Sequence, residues 1–152
     1  MVYKSILQAI GSTPMVELQR VGKDTGCRLL TKVEGSNPGG SIKSRTAYWM
    51  VEDARRQGLI DGDTTLVEAT SGNQGIGLSM VGAALGFKVR IIMPENMSKE
   101  RQMLMRAYGA DVVLTPAGKD ISEAIRLAMD TARKMADEDP KVFWVNQFSN
   151  PA

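Results

Sequence analysis

Histidine is absent from the sequence, and cysteine occurs once, at Cys27. Without histidine the chain by itself builds no His-based zinc site, no Ser-His-Asp triad and no Cys-His pair. A lone cysteine makes no internal disulfide, so a reducing cytoplasm is the expected compartment. Aromatic residues are scarce, at 5%. No apolar run reaches the roughly 18 residues of a membrane-spanning helix. The first residues, Met1-Val2-Tyr3-Lys4-Ser5, carry no apolar stretch of the signal-peptide kind. Neither sign of charge dominates: 19 Lys+Arg stand against 17 Asp+Glu, a net charge of +2. A face built for nucleic acid is therefore not expected, nor is a membrane partner or a metal site. Chemistry in this chain must run on lysine, Ser/Thr, carboxylates, backbone dipoles or a bound cofactor.

What is present is an ordinary globular composition, 43% hydrophobic and 24% charged over 152 residues. Strand and helix patterns alternate. Arg28–Glu34, Thr65–Glu68, Lys88–Met93, Asp111–Thr115 and Val142–Val145 read as strands. Ser41–Leu59, a small-residue segment from the Thr70–Gly75 turn to Leu85, Ser98–Tyr108 and Ser122–Asp137 read as helices. Gly86 and Gly109 are placed to end two of them. Such alternation implies βαβ units, hence an open parallel sheet with helices on both faces, an α/β three-layer fold. Ile121, Ile125, Ala128, Met129 and Ala132 share one helical stripe and are expected in the core. Met97, Met103 and Met105, with Leu104, are read as packing, with a flexible lid as the alternative; Trp49, Trp144 and Cys27 are also read as packing, and Gly75, Gly77 and Gly82 as letting a helix lie close on the sheet.

Ligands of parallel sheets sit beyond the carboxyl ends of strands, where loops lead into helices. Two loops stand out. The first is Ser36-Asn37-Pro38-Gly39-Gly40-Ser41-Ile42-Lys43-Ser44-Arg45. With Ser41 as N-cap, Lys43 falls in the first helical turn, where the helix dipole disfavours the ammonium by roughly 0.3–1 kcal/mol. A neutral lysine is what Schiff-base chemistry requires. Spacing alone does not separate such a lysine from a solvated one. The second loop is Thr70-Ser71-Gly72-Asn73-Gln74-Gly75. Two hydroxyls, an amide and backbone N–H groups meet at a helix N-terminus, which suits a carboxylate or phosphate; the same residues also serve simply as helix caps. It is neither a Walker A loop nor a Gly-x-Gly-x-x-Gly dinucleotide turn.

Taken together, the two loops resemble the cofactor-lysine segment and the substrate-carboxylate loop of the cysteine synthase (O-acetylserine sulfhydrylase) and cystathionine β-synthase family. Three more stretches agree in order: Ile10–Val16, Met93–Ser98 with Glu100-Arg101, and Gln147–Ala152. The resemblance covers essentially the whole chain. It implies the fold-type II architecture of pyridoxal 5'-phosphate (PLP) enzymes, like tryptophan synthase β. By position, Lys43 would bind PLP as an imine and serve as acid and base at the substrate Cα. Asn73 would hydrogen-bond the cofactor's phenolic oxygen. Thr70, Ser71, Asn73 and Gln147 would hold the substrate carboxylate, with Gln74 helping. The implied reaction is β-replacement: O-acetyl-L-serine loses acetate and sulfide adds, giving L-cysteine.

Position 74 is Gln where the sulfhydrylases carry Thr, which raises a different amino-acid substrate or leaving group. Position 44 is Ser where Asp or Cys is more familiar. The family's glycine-rich phosphate loop has no counterpart, since Gly118 is the only glycine after Gly109. The hydroxyl that faces the pyridine nitrogen has none either. The expectation is therefore a first half of a two-domain homodimeric enzyme. Residues 1–34 would pack with a C-terminal domain, 35–145 would form the α/β domain, and 146–152 would cross over. The alternatives are a cystathionine β-synthase or diaminopropionate synthase type of enzyme, and a truncated, non-catalytic paralogue acting as a binding module.

Overall fold

The computed structural model describes residues 2–152. Ten regular elements follow in order: β1 (Met15–Glu17), β2 (Leu30–Lys32), α1 (Lys43–Arg56), β3 (Thr65–Ala69), α2 (Asn73–Leu85), β4 (Lys88–Pro94), α3 (Lys99–Ala107), β5 (Asp111–Thr115), α4 (Ile121–Glu138) and β6 (Val142–Trp144). Short 3-10 turns at Ile6–Ala9, Lys23–Thr25 and Glu34–Ser36 link the first part of the chain.

Four strands form a parallel sheet in the order β5-β4-β3-β6. Their apolar side chains alternate between faces, as the period of two demands. Leu66, Val89, Ile91 and Met93 pack with α1, α2 and α3 on one side. Val67, Ala69 and Ile92 pack with Ala128 and Ala132 of α4 on the other. Each fully buried Leu, Ile or Val contributes about 1.5–3 kcal/mol relative to exposure, so the two cores account for the layered arrangement. The expected α/β fold with helices on both faces is what the structure has.

The strand expected over Arg28–Glu34 is shorter and lies elsewhere. Residues Leu30–Lys32 pair antiparallel with Met15–Glu17, outside the parallel sheet. Both strands are exposed along their length, so no core pattern marked β1 in the sequence. α1 begins at Lys43, two residues after the expected start, and Ser41 is not its N-cap position. The Ser41 hydroxyl instead accepts a hydrogen bond from the Lys43 N–H at 3.2 Å. Gly86 and Gly109 end α2 and α3 with φ of +81° and +89°, where a side chain is disfavoured.

Five packing expectations change. Met103 and Leu104 are exposed, and of the methionines on α3 only Met105 is buried. Ile121 and Ile125 are exposed, and Ala124, Ala128 and Ala132 make the buried stripe of α4. Trp49 is half exposed, edge-on to Tyr48 at 5.3 Å with the Arg56 guanidinium over its ring. Cys27 is exposed and free. The three helical glycines face three different neighbours, not the sheet alone. A Cβ on Gly75 would meet Met105 of α3, one on Gly77 would meet the Lys43 backbone of α1, and one on Gly82 would meet Val89 of β4. α2 is therefore buried on several sides, which explains why it is apolar and small-residued all round. Among the described residues, no helix is long and apolar enough to cross a membrane.

Candidate active site

The chain runs β3 to β4 to β5 in one direction and then returns to place β6 on the far side of β3. That reversal is a topological switch point, where the loops leaving adjacent strands diverge and leave a crevice. The loops beyond β3 and β6 are the Thr70–Gly72 turn and the Val145–Asn150 segment. Thr70, Ser71 and Gln147 line one small cleft of about 100 Å³ there, with Ala69, Pro94 and Phe148. Two stretches far apart in sequence thus come together as expected.

The turn itself is locally determined. The Thr70 N–H continues the sheet ladder to the Ile92 carbonyl, and the Gly72 N–H donates to the Thr70 hydroxyl at 3.2 Å. Asn73 and Gln74 open α2, so their backbone N–H groups are first-turn donors without intrahelical acceptors. The Ser71 carbonyl accepts from the Arg101 guanidinium at 3.2 Å, which ties α3 to the turn. The Asn73 side chain is exposed.

Gln74 goes elsewhere. Its side chain is buried and turned towards α1, where it accepts from the Thr46 hydroxyl at 2.8 Å and contacts the Met50 sulfur. The side chain therefore is not brought to the cleft, and only its backbone N–H is on the turn. The long amide fills space between two helices, a use the sequence pattern did not reveal.

Lys43 is the first residue of α1. Its backbone lies against α2: a Cβ on Gly77 would stand 2.8 Å from the Lys43 carbonyl oxygen. Both helix N-termini are thereby held side by side. The Lys43 side chain makes no hydrogen bond or ion pair among the described residues; its backbone N–H donates to Ser41 and its carbonyl accepts from Thr46. Ser44, next to it, is fully buried and accepts the Gly39 N–H at 3.0 Å, so the unfamiliar serine fastens the glycine turn.

Residues that the sequence reading left without a role anchor this turn from behind. Arg45 forks onto Glu34 with two bonds of 2.8 and 2.9 Å and reaches the Gly11 carbonyl at 3.0 Å. Thr13 and Asn37 also donate to Glu34, and the Asn37 amide oxygen accepts the Gly11 N–H. Arg45 above all holds the Glu34 carboxyl at about 2, below its ordinary 4.5. The sign follows: the native state keeps Glu34 ionised where the unfolded chain protonates it. Its stabilisation is complete above pH 4.5 and lost as pH falls through about 2. Urea midpoints are expected to drop across that window in the parent protein, and to drop less steeply in Arg45→Gln. Equal slopes would refute the assignment.

A carboxyl perturbed in the opposite direction is Glu68, on β3. Burial pushes it up to about 7, and hydrogen bonds from the 146–147 backbone and the Gln147 amide only partly oppose that. The signal for it was a lone charge inside the apolar run Leu66-Val67-Glu68-Ala69.

Comparison with known proteins agrees with this fold. A family model described as pyridoxal-phosphate dependent enzyme matches residues 6–152. A cysteine synthase of Flavobacterium is 45% identical over all of this chain and 48% of its own length. The crystal structure of a cysteine synthase from Entamoeba histolytica superposes with a TM-score of 0.91 at 40% identity, over 99% of this chain and 45% of that one. An O-acetylserine dependent cystathionine β-synthase from Helicobacter pylori gives 0.86 at 34% identity, over 99% and 49%. The chain spans about half the length of these relatives. It belongs to the pyridoxal-phosphate dependent enzyme family.

Proposed function

We propose that this chain carries the lysine and carboxylate-binding half of a PLP-dependent β-replacement enzyme that converts O-acetyl-L-serine and sulfide to L-cysteine and acetate. The observation that carries the reading is Lys43, whose amine has no partner among the described residues and whose backbone, at the start of α1, lies against the first turns of α2. An uncommitted primary amine at the start of α1, with Asn73 at the start of the neighbouring α2, suits a carbonyl cofactor with a phenolic oxygen, so these residues fit PLP. When bound, PLP supplies an electron sink for charge developing at the substrate Cα.

The chain's own groups do the rest. Lys43 anchors the cofactor covalently and takes and returns the Cα proton. Asn73 holds the phenolic oxygen. Thr70, Ser71, the Asn73 and Gln74 backbone N–H groups and the Gln147 amide hold the substrate carboxylate. The positive end of α2 favours that anion. Fixing the carboxylate makes proton transfer at the neighbouring carbon an oriented, unimolecular event. The remaining assignments rest on the same family reading: residues 1–34 and 146–152 packing against a second domain that holds the phosphate, and assembly as a homodimer in the cytoplasm.

Borohydride reduction in the presence of PLP, followed by peptide mass spectrometry, is expected to place the cofactor on Lys43. O-acetyl-L-serine plus sulfide is expected to yield cysteine. A second reading, condensation of an activated serine with homocysteine, is favoured by the likeness to the Helicobacter pylori enzyme. Faster turnover with homocysteine than with sulfide would select it. Absence of any Lys43 adduct would leave the non-catalytic module. Because the Gln74 side chain faces α1, Gln74→Leu is expected to lower stability by about 0.5–1.5 kcal/mol through the lost hydrogen bond. The preference between O-acetylserine and serine should stay as it was. A changed preference would overturn that placement.

A further inference from the structure

Glu68 is nearly fully buried, on the face of β3 that packs beneath α1 and α2. A glutamate in such a place needs a reason, since an unpartnered buried carboxyl is costly. Its side-chain partner and its strongest backbone partner come from one place, the segment that leaves β6. The Gln147 backbone N–H donates to Glu68 at 3.3 Å, and the Gln147 side-chain Nε2 donates to it at 3.5 Å. Just before, Asn146 adopts φ of +52°, a left-handed conformation uncommon for a residue other than glycine. The Asn146 amide oxygen is itself buried without a partner. The bend at Asn146 is thus not stabilised by its own side-chain oxygen. The carboxyl on the neighbouring strand takes the N–H that the bend presents.

We infer that Glu68 is a positioning residue: it holds the bend at Asn146 and sets the Gln147 amide against the Thr70–Ser71 turn, so that two loops far apart in sequence close into one carboxylate clamp. This rests on the proposed role of Gln147 in binding the substrate carboxylate. One Nε2 hydrogen is taken by Glu68, which leaves the other for an anion in the cleft that Gln147 shares with Thr70 and Ser71. Burial raises the Glu68 carboxyl to about 7, so less negative charge stands beside the anion than an ordinary glutamate would place there.

The test uses the holoenzyme and L-serine as probe, with binding measured by calorimetry alongside KM and kcat for O-acetyl-L-serine. Glu68→Ala is expected to weaken serine binding and raise KM roughly tenfold, the equivalent of about 1.4 kcal/mol, with a much smaller change in kcat. Glu68→Gln keeps the size and an acceptor oxygen for the Gln147 N–H, and should recover most of the affinity. In a Gln147→Ala background, Glu68→Gln and Glu68→Ala should cost little more. If Gln147→Ala weakens binding while both Glu68 variants bind as the parent does, the inference falls and the clamp stands. An additive loss in the double variant also sinks it. If Gln147→Ala itself binds serine normally, the proposed role of Gln147 fails first. Should Glu68→Ala not fold, Glu68→Met, which fills the same buried volume without an acceptor oxygen, takes its place: the same roughly tenfold weakening supports the inference, and binding as in the parent sinks it.

Discussion

Lys43→Ala is expected to abolish covalent attachment of PLP and to reduce β-replacement by at least about 10²–10⁴-fold, the range that proton transfer by one positioned group supplies. Lys43→Arg should fail as completely. A guanidinium stays charged and offers no nucleophilic amine, so retaining the positive charge recovers nothing. The fold should be indifferent to either change, because the Lys43 side chain makes no hydrogen bond or ion pair among the described residues. The measurements are the borohydride-trapped peptide, the rate of cysteine formation and the thermal midpoint. A normal midpoint with lost adduct and lost rate supports the assignment. Cysteine formation at the parent rate by Lys43→Ala would end it.

Gly77→Ala is the second large effect, and two opposing terms decide its sign. Alanine in a helix interior is favoured over glycine by about 1 kcal/mol. Against that, the new methyl would stand 2.8 Å from the Lys43 carbonyl oxygen, 3.1 Å from its carbon and 3.2 Å from the Ala47 Cβ. Two of these atoms are backbone of the facing helix and do not move cheaply. Overpacking of this kind costs about 1–3 kcal/mol, so we expect net destabilisation and a thermal midpoint lower by several degrees. The displaced backbone is that of Lys43, so trapping of PLP on Lys43 should fall as well. Gly62→Ala is the control, since nothing lies within 4 Å of that Cβ. It should change stability by less than about 0.5 kcal/mol. Equal behaviour of the two variants would show that α1 and α2 are not locked at Gly77.

The buried glutamate adds a pH dependence of opposite sense to that of Glu34. Its native carboxyl lies near 7 against an unfolded value of 4.5, so the native state binds the proton more tightly. The cost of ionising it is absent below pH 4.5, grows as pH rises and is complete above about 7. Glu34 works at the acid end, where its stabilisation disappears.

Much of the fold was legible because strand and helix periods are local properties. The strands Asp111–Thr115 and Thr65–Ala69 and the helix ends at Gly86 and Gly109 fall within a residue or so of where the pattern put them. Lys43 does fall in a first helical turn, while the expected Thr70–Gly75 turn is three residues shorter, Thr70–Gly72, because α2 already begins at Asn73. These are set by side-chain alternation, by glycine's access to positive φ and by short runs of polar residues at a helix start. Composition by itself excluded histidine chemistry built from these 152 residues.

Tertiary structure decided everything that depends on which surfaces meet. Residues Met15–Glu17 and Leu30–Lys32 form a separate antiparallel pair because their hydrogen bonds find one another, with no buried face to announce it. The Gln74 side chain turns away from the cleft because Thr46 and Met50 offer a buried partner on α1. Gly75, Gly77 and Gly82 look alike in sequence, yet each answers to a different neighbour. Glu68 and Gln147 become partners only because the chain reverses direction and lays β6 beside β3. The sequence by itself determined which loops lead into helices and which polar residues stand in them, through local pattern and side-chain type. Their mutual placement waited on the packing of helices and the order of strands, since no local period encodes a contact 79 residues away.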